Sequence, residues 1–137
     1  MSFSLYCLIA EKNSNFNIEK LFVDLGVYFL KTENFQIDFE VDPFDSSGKN
    51  LLLKWGEWWI RVFYENGDDV VSDCEFISKY ADPSIMKQLK KIDSRIRVLF
   101  ADDDDRSHTN QIIFMTDFLE GKKNLLIFDP QNKRFVL

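Results

Sequence analysis

Four consecutive aspartates, Asp102 to Asp105, stand in "RVLFADDDDRSHTNQ" between a hydrophobic run and the start of a helical pattern. Such a run of carboxylates could hold a metal ion, a basic ligand or a positively charged protein surface. An EF-hand calcium loop needs glycine at its sixth position and glutamate at its twelfth. Counted from Asp102 those positions hold Ser107 and Ile113, so that motif fails. Adjacent aspartates could still hold magnesium, although His108 and Asn110 add no recognisable ligand spacing. If Ser107 or Thr109 caps the helix that follows, the carboxylates sit just ahead of its positive end, where negative charge is stabilised.

The other reactive residues make no catalytic pattern. His108 is the single histidine and lies beside Asp105 in sequence, but a neighbouring acid is not a triad. No serine lies in a Gly-x-Ser-x-Gly elbow, and no glycine-rich phosphate loop occurs. Cys7 and Cys74 are too far apart in sequence for a zinc or redox motif and read as buried thiols. Glu120-Gly121-Lys122 has the Glu-x-Lys spacing of some metal-dependent nucleases, with Asp117 or the Asp102 to Asp105 run as a companion. Those nucleases carry the motif on a strand, whereas Gly121 here reads as a helix terminator. No catalytic residue, metal or cofactor is therefore expected, and the chain is not read as an enzyme.

Charge points instead to a partner. The chain of 137 residues carries a net charge of −6, which repels nucleic acid and favours a basic partner. Between Ala101 and Glu120 six acids face one base, Arg106, so most of the net charge lies in that stretch, while Ser84 to Arg97 is basic. The expected partner-binding residues are Asp102, Asp103, Asp104, Asp105 and Asp117, with Asp68, Asp69 and Asp73 as a second group. Trp55, Trp58 and Trp59 could line an interface, though alternation along a strand sends Trp58 and Trp59 to opposite faces.

The elements that must position these residues follow from periodicity. "FSLYCLIAE" reads as a central strand, and "NIEKLFVDLGVYFLK" as a helix with Leu21, Phe22, Leu25 and Phe29 on one buried stripe and Asn17 as its cap. Gly26 inside that helix suggests close packing on the sheet. "NFQIDFEVDP" alternates as a half-wet strand, "FDSSGKN" is loop chemistry, and "LLLKWG" with "EWWIRVFYE" makes a hairpin at Gly56. Two short helices follow, the second started by Asp82 and Pro83. A strand, a helix closed by Gly121 and two strands around Pro130 complete the order β-α-β-β-β-α-α-β-α-β-β. One α+β domain over residues 1–137 is expected, with a mostly antiparallel sheet packed by two main helices. No run is long enough for a membrane span and the first residues lack a signal peptide pattern, so a cytoplasmic location is expected.

"WGEWWIRVFYENGDDVV" and "FADDDDRSHTNQIIFMTDFLEGKKNLLIFDP" resemble pieces of the bacterial immunity proteins of contact-dependent growth inhibition and other polymorphic toxin systems. The resemblance lies mainly from Leu51 onward and is one of style and motif. It implies a small cytoplasmic protein that binds a cognate toxin domain, often a basic nuclease, and neutralises it without catalytic residues of its own. The alternatives are a small metal-dependent enzyme built on Asp102 to Asp105 and a non-catalytic adaptor. Oligomeric state is left open.

Overall fold

The computed structural model describes residues 3–10, 16–42 and 45–136. Seven strands form one antiparallel sheet: β1 (Phe3–Ile9), β2 (Phe35–Asp42), β3 (Asp45–Trp55), β4 (Trp58–Asn66), β5 (Ser94–Phe100), β6 (Leu125–Asp129) and β7 (Arg134–Val136). Their order across the sheet is β2-β3-β4-β5-β1-β6-β7. Four helices accompany them: α1 (Ile18–Tyr28), α2 (Asp68–Ile77), α3 (Pro83–Leu89) and α4 (Thr109–Glu120), with a 3₁₀ turn over Ser78–Tyr80. The element order and the α+β class agree with the sequence reading.

Strand alternation divides the apolar residues between two cores. Leu5, Cys7 and Ile9 of β1 join Leu53, Ile60, Val98 and Phe100 under α1 and α4. Leu8 of β1 and Phe128 of β6 face the other way, into a smaller cluster with Val70, Cys74, Ile77 and Leu89 of α2 and α3. β1 can serve both because it lies inside the sheet, paired to β5 and β6. Burial raises the Cys7 thiol to about 12 and the Cys74 thiol to about 11, as suits two inert core thiols.

Local chemistry starts the helices as expected. The Asn17 side chain accepts from the Lys20 N–H at 2.6 Å, and that of Asp82 from Ile85 at 2.9 Å with Pro83 at the first helical position. The buried stripe of α1 is narrower than expected. Leu21, Leu25 and Phe29 are buried, but Phe22 is half-buried and stacks on Phe39 of the edge strand at 4.5 Å.

β3 also differs. It starts at Asp45, so much of the stretch read as loop chemistry is paired to β2, with a register shift between Val41 and Asp42. Asp45, Lys49 and Asn50 carry the pairing, and the register shift falls at the Ser and Gly residues between them. Pro43 lies outside the described residues. The Gly56 hairpin forms, with φ of +65° at Gly56 between paired Trp55 and Trp58.

Candidate functional site: an acidic loop beside two tryptophans

Where β5 leaves the sheet, Ala101 is still held as a strand residue, its N–H donating to the Trp59 carbonyl at 3.1 Å. The loop from Asp102 to His108 then turns into α4. Two aspartates hold it in shape. The Asp103 carboxylate accepts the His108 N–H at 2.9 Å, and its carbonyl accepts the Arg106 N–H at 3.0 Å. Asp105 accepts the Ser107 hydroxyl at 2.7 Å and the Ser107 N–H at 3.1 Å. These bonds, the hydroxyl foremost, hold the Asp105 carboxyl below its usual range, with the nearby His108 adding a smaller push. Arg106 takes a left-handed φ of +59° at the tip.

The capping differs from the expected form. His108 is the N-cap and its side chain makes no cap bond. Asp103 instead reaches the helix start, and the Thr109 hydroxyl lies 3.3 Å from its carboxylate and 3.1 Å from the Arg106 carbonyl. A carboxylate at this end of α4 is favoured by the exposed N–H groups of the first turn.

The β3–β4 hairpin completes the site. Trp58 is 6% exposed, donates from Nε1 to the Asp102 carbonyl at 3.0 Å and lies flat on the His108 ring. Trp59 points to the opposite face, as alternation requires, with the Arg61 guanidinium 4.3 Å from its ring. An open depression of about 690 Å³ lies between hairpin and loop, lined by Glu57, Trp58, Trp59, Ala101, Asp102, Asp104, Asp105, Ser107 and His108. Glu57, Asp102, Asp104 and Asp105 are exposed. Two buried atoms near the start of α4, His108 Nδ1 and Gln111 Oε1, have no hydrogen-bond partner among the described residues.

The expected partner-binding residues occupy separate places. Asp102 to Asp105 form the loop, and Asp117 is exposed two turns further along α4. Asp68 and Asp69 begin α2, beyond the far end of β4. At roughly 3.3 Å per residue, β4 sets them about 25 Å from the loop. Asp73 is committed to the buried Arg95 at 2.6 Å. Glu57 was not among the expected residues. Its place beside the loop follows from the pairing of Ile60 with Phe100, a long-range register with no local signal.

Glu120 ends α4 and Lys122 pairs with Asp24 of α1 at 3.2 Å, so the Glu-x-Lys residues sit at a helix terminus rather than on a strand. Among the described residues no three His, Cys, Asp or Glu side chains are grouped so as to hold a metal ion. No helix among them is long and apolar enough to cross a membrane. No family model matches this chain, and no curated protein or solved structure matches it.

Proposed function

We propose that this chain is a cytoplasmic immunity protein that binds a basic, nuclease-type toxin domain and neutralises it. The reading rests on one arrangement: four exposed carboxylates around an open depression lined by two indoles. The half-buried Trp59 supplies apolar contact area, and the surrounding charge steers a basic partner and orients it on arrival. A lysine or arginine of the partner would enter between Glu57 and the aspartate loop, where the surrounding carboxylates favour a cation. Glu57 and Asp104 are both exposed at the depression, one on the hairpin and one on the loop, and are the contacts to test. The chain needs no reaction of its own for this task.

Co-expression with the product of the adjacent gene tests the reading. Cells that are killed by that product alone should survive when the chain is present, and the two proteins should purify together. Copurification without rescue would assign the chain to an adaptor role. Neither rescue nor binding, combined with metal-dependent turnover by the chain alone, would replace the proposal with the enzyme alternative.

A further inference from the structure

We propose that strand β2 is a docking edge that accepts one more strand from a partner protein, in which apolar side chains alternate with lysine or arginine. β2 ends the sheet and pairs with β3 alone among the described strands. Its outer backbone groups over Phe35–Asp42 are therefore a template for strand addition. This edge uses none of the Asp102–Asp105 loop, and the inference does not rest on the toxin reading.

The two faces of the edge differ in chemistry. On the face toward α1, Phe39 is 38% and Val41 65% exposed, although both sit on a strand patterned for burial. α1 lies above them: Phe22 stacks on Phe39, and a Cβ on Gly26 would stand 3.9 Å from Ile37. Val23 stands one turn before Gly26 and is 59% exposed, and Leu30, just beyond the end of α1, is 73% exposed. Helix and strand thus leave exposed apolar surface beside the edge, with the Lys49 ammonium of β3 5.4 Å from the Phe39 ring. Apolar residues of an added strand would cover that surface.

The other face carries Gln36, Asp38 and Glu40. Glu40 is held by Arg61 at 2.9 Å. Asp38 is exposed and makes no ion pair among the described residues. This charge discriminates between occupants. β2 holds no lysine or arginine, so no self-pairing register sets a cation opposite Asp38: two copies pairing antiparallel about Asp38 set Asp38 against Asp38, pairing about Phe39 sets it against Glu40, and pairing about Ile37 leaves it against Gln36. Like charges directly opposite destabilise a strand pair, whereas a basic residue opposite Asp38 stabilises it. The edge therefore suits a basic strand from another protein rather than a second copy.

Two capped octapeptides, one alternating valine with lysine and one alternating valine with glutamate, serve as probes. Each is titrated into the isotope-labelled full chain at low salt while amide shifts and hydrogen exchange are followed. The valine–lysine peptide should bind and slow exchange of alternate amides within Phe35–Asp42. The valine–glutamate peptide should bind about tenfold more weakly, the difference between attractive and repulsive pairs at Asp38 and Glu40. Asp38→Lys should narrow or reverse that order without altering the circular dichroism of the fold. Equal binding of the two peptides, protection elsewhere, no binding at millimolar peptide, or an unchanged order in Asp38→Lys would each overturn the proposal. A dimer that protects the same amides without peptide would assign the edge to a second copy and overturn it as well.

Discussion

The indole of Trp58 lies flat against the imidazole of His108, with ring centroids 4.7 Å apart and planes 8° from parallel. This contact joins the β3–β4 hairpin to the start of α4, and the Trp58 Nε1 bond to the Asp102 carbonyl fastens the acidic loop to the same side chain. Trp58→Ala should cost about 3–5 kcal/mol of stability in chemical denaturation, as for other buried aromatics. Trp58→Phe keeps a ring but loses the indole donor, so a loss of about 1–2 kcal/mol is expected. Equal losses for the two variants would contradict the role assigned to the ring.

Arg95 fastens the other end of the sheet. It is 6% exposed, donates to Asp73 at 2.6 Å and to Glu65 at 2.9 Å, and lies 4.4 Å from the Tyr6 ring. Arg95→Met preserves much of the packing and leaves Asp73 without its cation, while Glu65 keeps Arg97 at 3.3 Å. Glu65 and Asp73 are partly solvated, which reduces the penalty, so a loss of about 2 kcal/mol is expected. Thermal and chemical denaturation measure it, and an unchanged or raised stability would show that packing alone holds α2 to the sheet.

Gly26 offers a test in the opposite direction. A Cβ there meets only Ile37 Cγ2, at an ordinary 3.9 Å, so close packing does not demand glycine. Gly26→Ala should stabilise the protein by up to ~1 kcal/mol through helix propensity and a less flexible unfolded chain. A lower denaturation midpoint would show that α1 and β2 pack more tightly than this distance implies.

The Asp105 carboxyl titrates below its usual range because Ser107 donates to it twice. A folded-state pKa below the unfolded one stabilises the fold above the unfolded value, about 3.9, and this contribution is lost as pH falls through the folded value. Ser107→Ala removes the hydroxyl, the stronger of the two influences. The Asp105 midpoint followed by NMR should then rise toward the ordinary carboxylate value. A midpoint that stays put would assign the shift to the backbone N–H alone.

Elements defined by local periodicity were legible in the sequence. The Asn17 cap, the apolar spacing in α1, the Gly56 hairpin and the opposite faces of Trp58 and Trp59 all depend on residues within a few positions of each other. Features set by distant pairing were not. β1 enters between β5 and β6, and β4 lies beside β5 after two intervening helices, so neither the place of Glu57 beside the aspartate loop nor the separation of Asp68 and Asp69 from it has a local signature. The strand over Asp45–Trp55 is longer than its local signals suggest because Asp45, Lys49 and Asn50 pair with β2 around an irregularity that side-chain propensity does not reveal. Phe22 fits the helical stripe but lies over the sheet edge, where the strand beneath it is the last one.

The most direct test of the acidic site is the association rate with the product of the adjacent gene, measured at low and high salt for the native chain and for Glu57→Gln with Asp104→Asn. Both residues are exposed, so the fold should be retained. The account predicts that the native chain associates rapidly with a steep salt dependence, and that the double variant is slowed about tenfold at low salt with a shallower dependence. An unchanged rate and an unchanged salt slope in a folded double variant would contradict it.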